Sequence, residues 1–257
     1  MDHLYFFGEL GYLINCILPQ VGQLNDKVTI HCFEDYQFIL AQYCKAKFKT
    51  INFYSSINRG LEKGHQDKHY LSSIKFKYTP KNLNSIAIPA TLFIFNSYKN
   101  IPYPISSKPI AMNNKSILFN FRNRKDSPYG NLSKEFYENL LKNFEDYHIY
   151  NCGNIKEIHP INTDNTSLIK FQDIPYVAQN CECCILTDSG LTSMIIKCNP
   201  KKVIILFQNI KNMDEKNHKG IYLKNIENFN TPTKMYIVEN NKLKEADLLD
   251  IIDFVNY

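Results

Sequence analysis

Residues 181 to 206 read CECCILTDSGLTSMIIKCNPKKVIIL. An apolar run ends in Thr-Asp-Ser-Gly, a short apolar helix follows, and a second β-branched run begins at once. Strand, tight turn, helix and strand in that order make a βαβ unit, which commits this part of the chain to a parallel sheet, because antiparallel neighbours would be joined by a short hairpin. The only polar hinge in the stretch is Thr187-Asp188-Ser189-Gly190. Chemistry is expected there.

The same alternation recurs along the chain. "HLYFF" reads as an apolar strand, "GELG" punctuates it, "YLINCILPQVGQL" spaces apolar residues as a helix does, and "KVTIHCF" resumes strand character. A helix in "EDYQFILAQYCKAK" and a strand in "FKTINFY" continue a parallel sheet with helices on both faces. Residues 57–82 are polar and irregular, either a surface excursion carrying acceptor contacts or a plain loop. "SIAIPATLFIFNSY" is apolar again. Pro102, Pro104 and Pro109 then mark a stretch that resists both helix and central strand and reads as an interdomain linker.

After the linker the pattern restarts: strand "SILFNF", loop "RNRKDSPYGN", a helix over 132–144, strand "YHIYNCG", a loop, helix "IPYVAQN", strand "CCILTD", helix "GLTSMIIKC" and strand "KKVIILF". The helix over 132–144 has Asn131 or Ser133 as N-cap and Phe136, Leu140, Leu141 and Phe144 as its inner face. In the tail, Leu248, Ile251, Ile252 and Val255 form the stripe of a helix expected to close the fold. The expected division is 1–108 for a first α/β domain with linker and 109–257 for a second.

A chain of 257 residues admits one large domain or two average ones. With 44% apolar and 21% charged residues it is a folding, globular composition. The net charge of +5 arises from 30 basic and 25 acidic residues scattered along the chain. Such a mild excess suits a small anionic ligand, and nucleic acid is not an expected partner. No apolar run approaches the roughly 20 residues of a membrane span, and "MDHLYFFGEL" lacks the features of a signal peptide. The expected setting is cytoplasmic, with no transmembrane segment. The wealth of Asn, Lys, Ile and Tyr points to an AT-rich genome, a virus in its host's cytoplasm included. No signal for an oligomeric state appears.

Eight cysteines in a chain of this kind are expected as reduced thiols. Cys181, Cys183 and Cys184 lack the spacing of a zinc site and read as small buried hydrophobes entering a core strand.

Ligands of open α/β sheets bind beyond the carboxyl ends of the strands, where helix N-termini present unpaired amides. At the 187–190 hinge, Gly190 admits close approach of a ligand, the amides of Gly190, Leu191 and Thr192 are expected to point outward, and Ser189 or Thr192 adds a hydroxyl. A phosphate or diphosphate is the natural guest. Asp188 either caps the helix or holds a ligand hydroxyl. An Asp-Ser-Gly turn is also an ordinary helix start, so its company matters. Arg122, Arg124 and Lys125 follow the first strand of the same domain and reach the same rim, with Arg122 and Lys125 preferred as diphosphate partners. In the first domain, Gly8 and Gly11 bracket a turn after the opening strand, with Tyr12 beside it. Glu9 is the carboxylate in that turn, either a general base or a helix cap.

With these residues the chain resembles a GT-B glycosyltransferase of the heptosyltransferase superfamily. "GELGYLINCILP" is similar to that family's first-strand turn, "LTDSGLTSMIIKCNPKKVIILF" to its donor-site stretch, and "FRNRKDSPYGNLSKEFYENLL" to the start of its second domain. The chain departs from the family in Tyr12, where the family has a catalytic aspartate, and in Ser193, where it has a histidine. The resemblance implies two Rossmann-like domains facing each other across a cleft, a nucleotide-sugar donor as cosubstrate held by the second, and a glycan or other hydroxyl acceptor presented by the first. It implies transfer with inversion if Glu9 serves as base. No Asp-x-Asp-like pair ends a strand, so neither a metal nor another cofactor is expected. Two other readings stand beside it. A sugar-nucleotide 2-epimerase would draw acids and bases from His31, His65 and Glu34, and a non-catalytic module would bind glycan or nucleotide with Tyr12 in place of a base.

Overall fold

The computed structural model describes residues 2–6, 10–21, 28–32, 34–44, 47–50, 85–86, 101, 103–123, 131–153, 158–161, 163–208, 222, 226 and 229–257. The chain divides into two compact units, Met1–Tyr103 and Pro104–Tyr257.

In the first unit β1 (Asp2–Phe6) leads into a helix of three parts: α1 (Leu10–Tyr12), a widened π-helical turn (Leu13–Ile17) and α2 (Leu18–Val21). Pro19, which has no N–H to return to the preceding turn, stands just after the widened turn. β2 (Val28–Cys32), α3 (Glu34–Ala41), β3 (Lys47–Thr50) and β4 (Ser85–Ile86) follow. The strands pair in parallel in the order β3-β2-β1-β4. Leu13, Ile14, Leu18 and Val21 of the helix, Ile30 and Cys32 of β2, and Tyr36, Ile39 and Leu40 of α3 are buried. Burial pushes the Cys32 thiol up to about 12. At the end of the unit the Tyr43 and Tyr103 rings stack 4.7 Å apart, and the Tyr43 hydroxyl donates to Tyr103 O at 2.8 Å.

The helix starts at Leu10, so Gly11 and Tyr12 stand in its first turn and not in the loop before it. The expected excursion over 57–82 and most of the apolar stretch after it lie outside the described residues, as do Gly8, Glu9, His65, Arg124 and Lys125.

The second unit contains β5 (Ser116–Phe119), α4 (Lys134–Leu141), β6 (His148–Asn151), β7 (Thr166–Leu168), α5 (Ile174–Asn180), β8 (Cys183–Thr187), α6 (Gly190–Ile196), β9 (Val203–Gln208), β10 (Thr233–Val238) and α7 (Glu245–Asn256). Its six strands are all parallel, in the order β10-β9-β8-β5-β6-β7. Read in chain order from β5, this is the 3-2-1-4-5-6 progression of a dinucleotide-binding sheet. All five residues of β8 are buried, as a central parallel strand covered on both faces requires. On one face Ile117, Phe119, Ile185, Ile204 and Tyr236 form a core with Phe136, Leu140 and Leu141 of α4 and with Ile251 and Val255 of α7. On the other, α5 lies over the sheet, and Cys184 Sγ is 3.8 Å from Ala178 O. Ser133 caps α4 by accepting from the Phe136 amide at 3.1 Å.

Two strands exceed the expectation. β7 and β10 sit at the two edges of the sheet, where a strand is covered on fewer sides and its sequence, such as Thr166-Ser167-Leu168, need not be apolar. The proline-rich stretch is bound to the second unit from Ile105 onward. Ile105 is fully buried, its amide donates to Lys197 O at 2.9 Å, and its carbonyl accepts from Gln179 Nε2 at 3.1 Å. The Tyr176 amide donates to Ser107 Oγ at 3.0 Å.

Cys181, Cys183 and Cys184 are buried, with Cys181 Sγ 3.7 Å from Cys184 Sγ. Burial raises the thiols of Cys183 and Cys184 well above their ordinary value. Among the described residues no helix is long and apolar enough to cross a membrane.

Candidate functional site

β5 and β8 are hydrogen-bonded neighbours, yet the chain leaves β5 toward β6 and β8 toward β9. The connections at their carboxyl ends therefore diverge, and this switch in direction is where open α/β sheets take their ligands. The sequence puts Asn120, Phe121 and Arg122 at the end of β5 and Asp188 and Ser189 at the end of β8.

Arg122 Nη1 donates to the Asp188 carbonyl oxygen at 3.1 Å, which lays the guanidinium on the turn after β8. Its backbone forms an antiparallel bridge with Ile158, and the His159 amide donates to Phe121 O at 2.7 Å. Asn120, 4% exposed, ties three strand ends together. Its Nδ2 donates to Cys152 O at 2.5 Å beyond β6, and its Oδ1 accepts from the Thr187 hydroxyl at 3.4 Å in β8. Gly153 has φ +137°, and a Cβ there would lie 2.9 Å from Asn120 Nδ2 and 2.7 Å from Ile158 Cγ2, so only glycine fits beside Asn120.

The start of α6 is closed by its own residues. Ser189 is the N-cap: its Oγ accepts from the Thr192 amide at 3.2 Å. The Thr192 hydroxyl donates to Thr187 O, so in the 3.1 Å contact between Ser189 Oγ and Thr192 Oγ1 the Ser189 hydroxyl is the donor. The amides of Gly190 and Leu191, first in the helix, have no acceptor one turn back. Both residues are half-buried, as are Asp188 and Ser189.

A residue with no motif of its own completes the turn. Tyr222 is buried at 3% exposure, with its ring 5.9 Å from that of Phe207 of β9 and inclined by 60°. Its hydroxyl donates to Asp188 Oδ1 at 2.5 Å and accepts from the Ser189 amide at 2.9 Å. Burial first, and then the Asp188 carboxylate, push the phenol well above its ordinary range, so it stays protonated and available as a donor.

Arg122, Asp188, Ser189, Gly190 and Leu191 are thus brought together as the sequence places them. Thr192 is corrected: its amide and hydroxyl are both taken up within the turn, and it is fully buried. The cap role allowed for Asp188 belongs to Ser189, one residue later, whose side chain is the right length to reach back to the third amide. Gly11 and Tyr12 lie in α1 of the first unit. Gly8, Glu9 and Lys125 are outside the described residues. Two residues escaped the sequence reading. Asn120 left a trace as a polar break in the apolar run "SILFNF", whereas Tyr222, in the short run Ile221-Tyr222-Leu223 of an otherwise polar segment, belongs to no motif. Among the described residues no three His, Cys, Asp or Glu side chains gather as a metal site.

No protein-family model matches the chain, and no curated protein matches it. Solved structures do. The chain is similar to the ADP-heptose lipopolysaccharide heptosyltransferase II of E. coli, with a TM-score of 0.55 and 10% identity over 100% of this chain and 98% of that one. It is also similar to the glycosyl transferase family 9 protein of Veillonella parvula, with a TM-score of 0.53 and 12% identity over 99% and 95% of the two chains. The likeness is one of fold along the whole length, as the heptosyltransferase resemblance of the sequence implies.

Proposed function

We propose that the protein is a glycosyltransferase that moves a sugar from a nucleotide-diphosphate donor to an acceptor hydroxyl, with the diphosphate bound at the β5/β8 switch point of the second unit. The observation that carries this reading is the meeting of Arg122 with the Asp188–Leu191 turn at that point, in a chain whose fold is that of glycosyltransferases. As the bond between the anomeric carbon and the phosphate oxygen breaks, negative charge grows on the leaving diphosphate. The Arg122 guanidinium and the amides of Gly190 and Leu191 are fixed donors for that charge, and Lys125 adds a second cation. In a single displacement the acceptor oxygen attacks the opposite face, its proton passes to Glu9, and the configuration inverts. The proposal includes transfer without a divalent ion, because no acidic pair ends a strand in the sequence.

Thermal unfolding in the presence of UDP, GDP, ADP and CMP tests the reading. One nucleoside diphosphate at about a hundred times its dissociation constant is expected to stabilise the fold by about 2.7 kcal/mol. Failure of every nucleotide to shift the midpoint overturns it. Tyr12, in place of the family's aspartate, favours a second reading, a binding module without turnover. Assays of transfer and donor hydrolysis separate the two: turnover abolished by Glu9→Gln supports the enzyme, and nucleotide binding with no turnover in the unaltered protein supports the module.

A further inference from the structure

Arg122 lies past the end of β5 at Phe119, outside the parallel ladder of the second sheet. Its backbone is held by the chain that returns from β6: Ile158 pairs with Arg122 in an antiparallel bridge, and the His159 amide donates to Phe121 O at 2.7 Å. That returning segment is itself fixed at both ends. At its start the Cys152 amide donates to Phe119 O at 2.8 Å, and the Cys152 carbonyl accepts from Asn120 Nδ2 at 2.5 Å. At its far end Ile158 packs on Gly153, where a Cβ would come within 2.7 Å of Ile158 Cγ2 and 2.9 Å of Asn120 Nδ2. The Asn120 side chain and the bare Cα of Gly153 therefore close the segment onto β5. Asparagine suits its place where residues of similar size do not. Aspartate would set a carboxylate against the Cys152 carbonyl, and leucine would remove the donor from that carbonyl in a residue that is fully buried.

We propose that Asn120 and Gly153 are positioning residues for Arg122: by closing the segment after β6 onto the end of β5 they fix the pairing of Ile158 with Arg122, and with it the point from which the guanidinium reaches the Asp188 carbonyl at 3.1 Å. Neither residue touches a ligand in this scheme. The inference deepens the diphosphate reading above, on which its binding test rests, whereas its exchange test needs no ligand. It also gives a purpose to two features that a parallel sheet does not demand by itself, a glycine at φ +137° and a side-chain amide 4% exposed beyond a strand end.

Two measurements on the full chain test it. Without ligand, amide hydrogen exchange at His159 is expected to speed up in Asn120→Ala and in Gly153→Ala by about tenfold beyond any change in the amides of β8 and β9, because the bridge opens while the strands stay paired. Unchanged exchange at His159 overturns the proposal. So does an equal acceleration at His159 and throughout β8 and β9, the mark of side chains that only hold the fold together. The second measurement is titration with inorganic pyrophosphate in a double-mutant cycle. Asn120→Ala is expected to weaken binding by about tenfold in the otherwise unaltered chain and by less than about twofold where Arg122→Ala is already present, since a residue that acts through Arg122 then has nothing left to position. Equal losses in the two backgrounds overturn the role. If the unaltered protein binds neither pyrophosphate nor a nucleoside diphosphate, the diphosphate reading fails and the part of Asn120 in binding fails with it, while His159 exchange still upholds or overturns the positioning of Arg122.

Discussion

At the scale of single residues, the turn after β8 separates two jobs that its sequence runs together. Ser189 and Thr192 spend their donors and acceptors on each other and on Thr187, whereas Gly190 and Leu191 keep amides without acceptors one turn back. Ser189→Ala is therefore expected to act on stability through the lost cap, by about 1 kcal/mol, read as a lower midpoint in denaturant unfolding. Arg122→Ala is expected to act on binding. It should weaken a nucleoside diphosphate by about tenfold or more and leave the corresponding nucleoside unchanged, since the lost partner is a phosphate; calorimetric titration of both ligands distinguishes the cases, and equal weakening shows the guanidinium lies elsewhere. The motif TDSG was legible because a glycine and small polar residues between two apolar runs favour a turn and a helix cap over a continued strand. The inward turn of Thr192 was not, because a hydroxyl bonding its own turn and one bonding a ligand require the same residue type.

At the scale of elements, the βαβ alternation was legible wherever a strand is buried on both faces, as in β5, β8 and β9. The helix over Ile174–Asn180 fell where its Pro in the first turn and apolar spacing put it. β7 escaped because its pairing to β6 is a property of the partner strand and not of its own polar sequence. That edge also contains a titrating group. His148 of β6 shares a 2.8 Å hydrogen bond with Ser167 of β7 and stands 4.6 Å from the Tyr150 ring, and burial lowers its pKa below 6.5. A base whose folded pKa is depressed binds fewer protons than in the unfolded chain, so stability falls as the pH drops below 6.5 toward the depressed value and is level above it. His148→Gln is expected to flatten that part of the stability profile between pH values of about 7 and 5, measured by urea unfolding; an unchanged slope would assign it to another group.

At the scale of the whole molecule, the mixed α/β character was readable from the alternation of apolar runs and helical spacing, while the sheet order was not, because strand adjacency is decided by pairing across the chain. The second unit's core depends on its last element. Ile251 of α7 is fully buried with Phe136, Leu140 and Tyr236, and Asp250 beside it accepts hydrogen bonds from Lys234 and from the Tyr236 hydroxyl. Those two partners, Lys234 first, hold the Asp250 carboxyl below its ordinary value. Ile251→Ala is expected to cost about 2 to 5 kcal/mol, a large part of the total for a domain of this size. Calorimetric unfolding measures it, and a loss well below that range would show that the α7 face repacks.

The buried thiols bear on how the protein can be handled. Thiolates, not thiols, react with maleimides and oxidants, and Cys32, Cys152, Cys183, Cys184 and Cys198 are each held protonated by the apolar interior around them. A fluorophore or spin label directed to one cysteine introduced on the surface would therefore leave these five unmodified, and a labelling variant need replace only the remaining three, Cys16, Cys44 and Cys181.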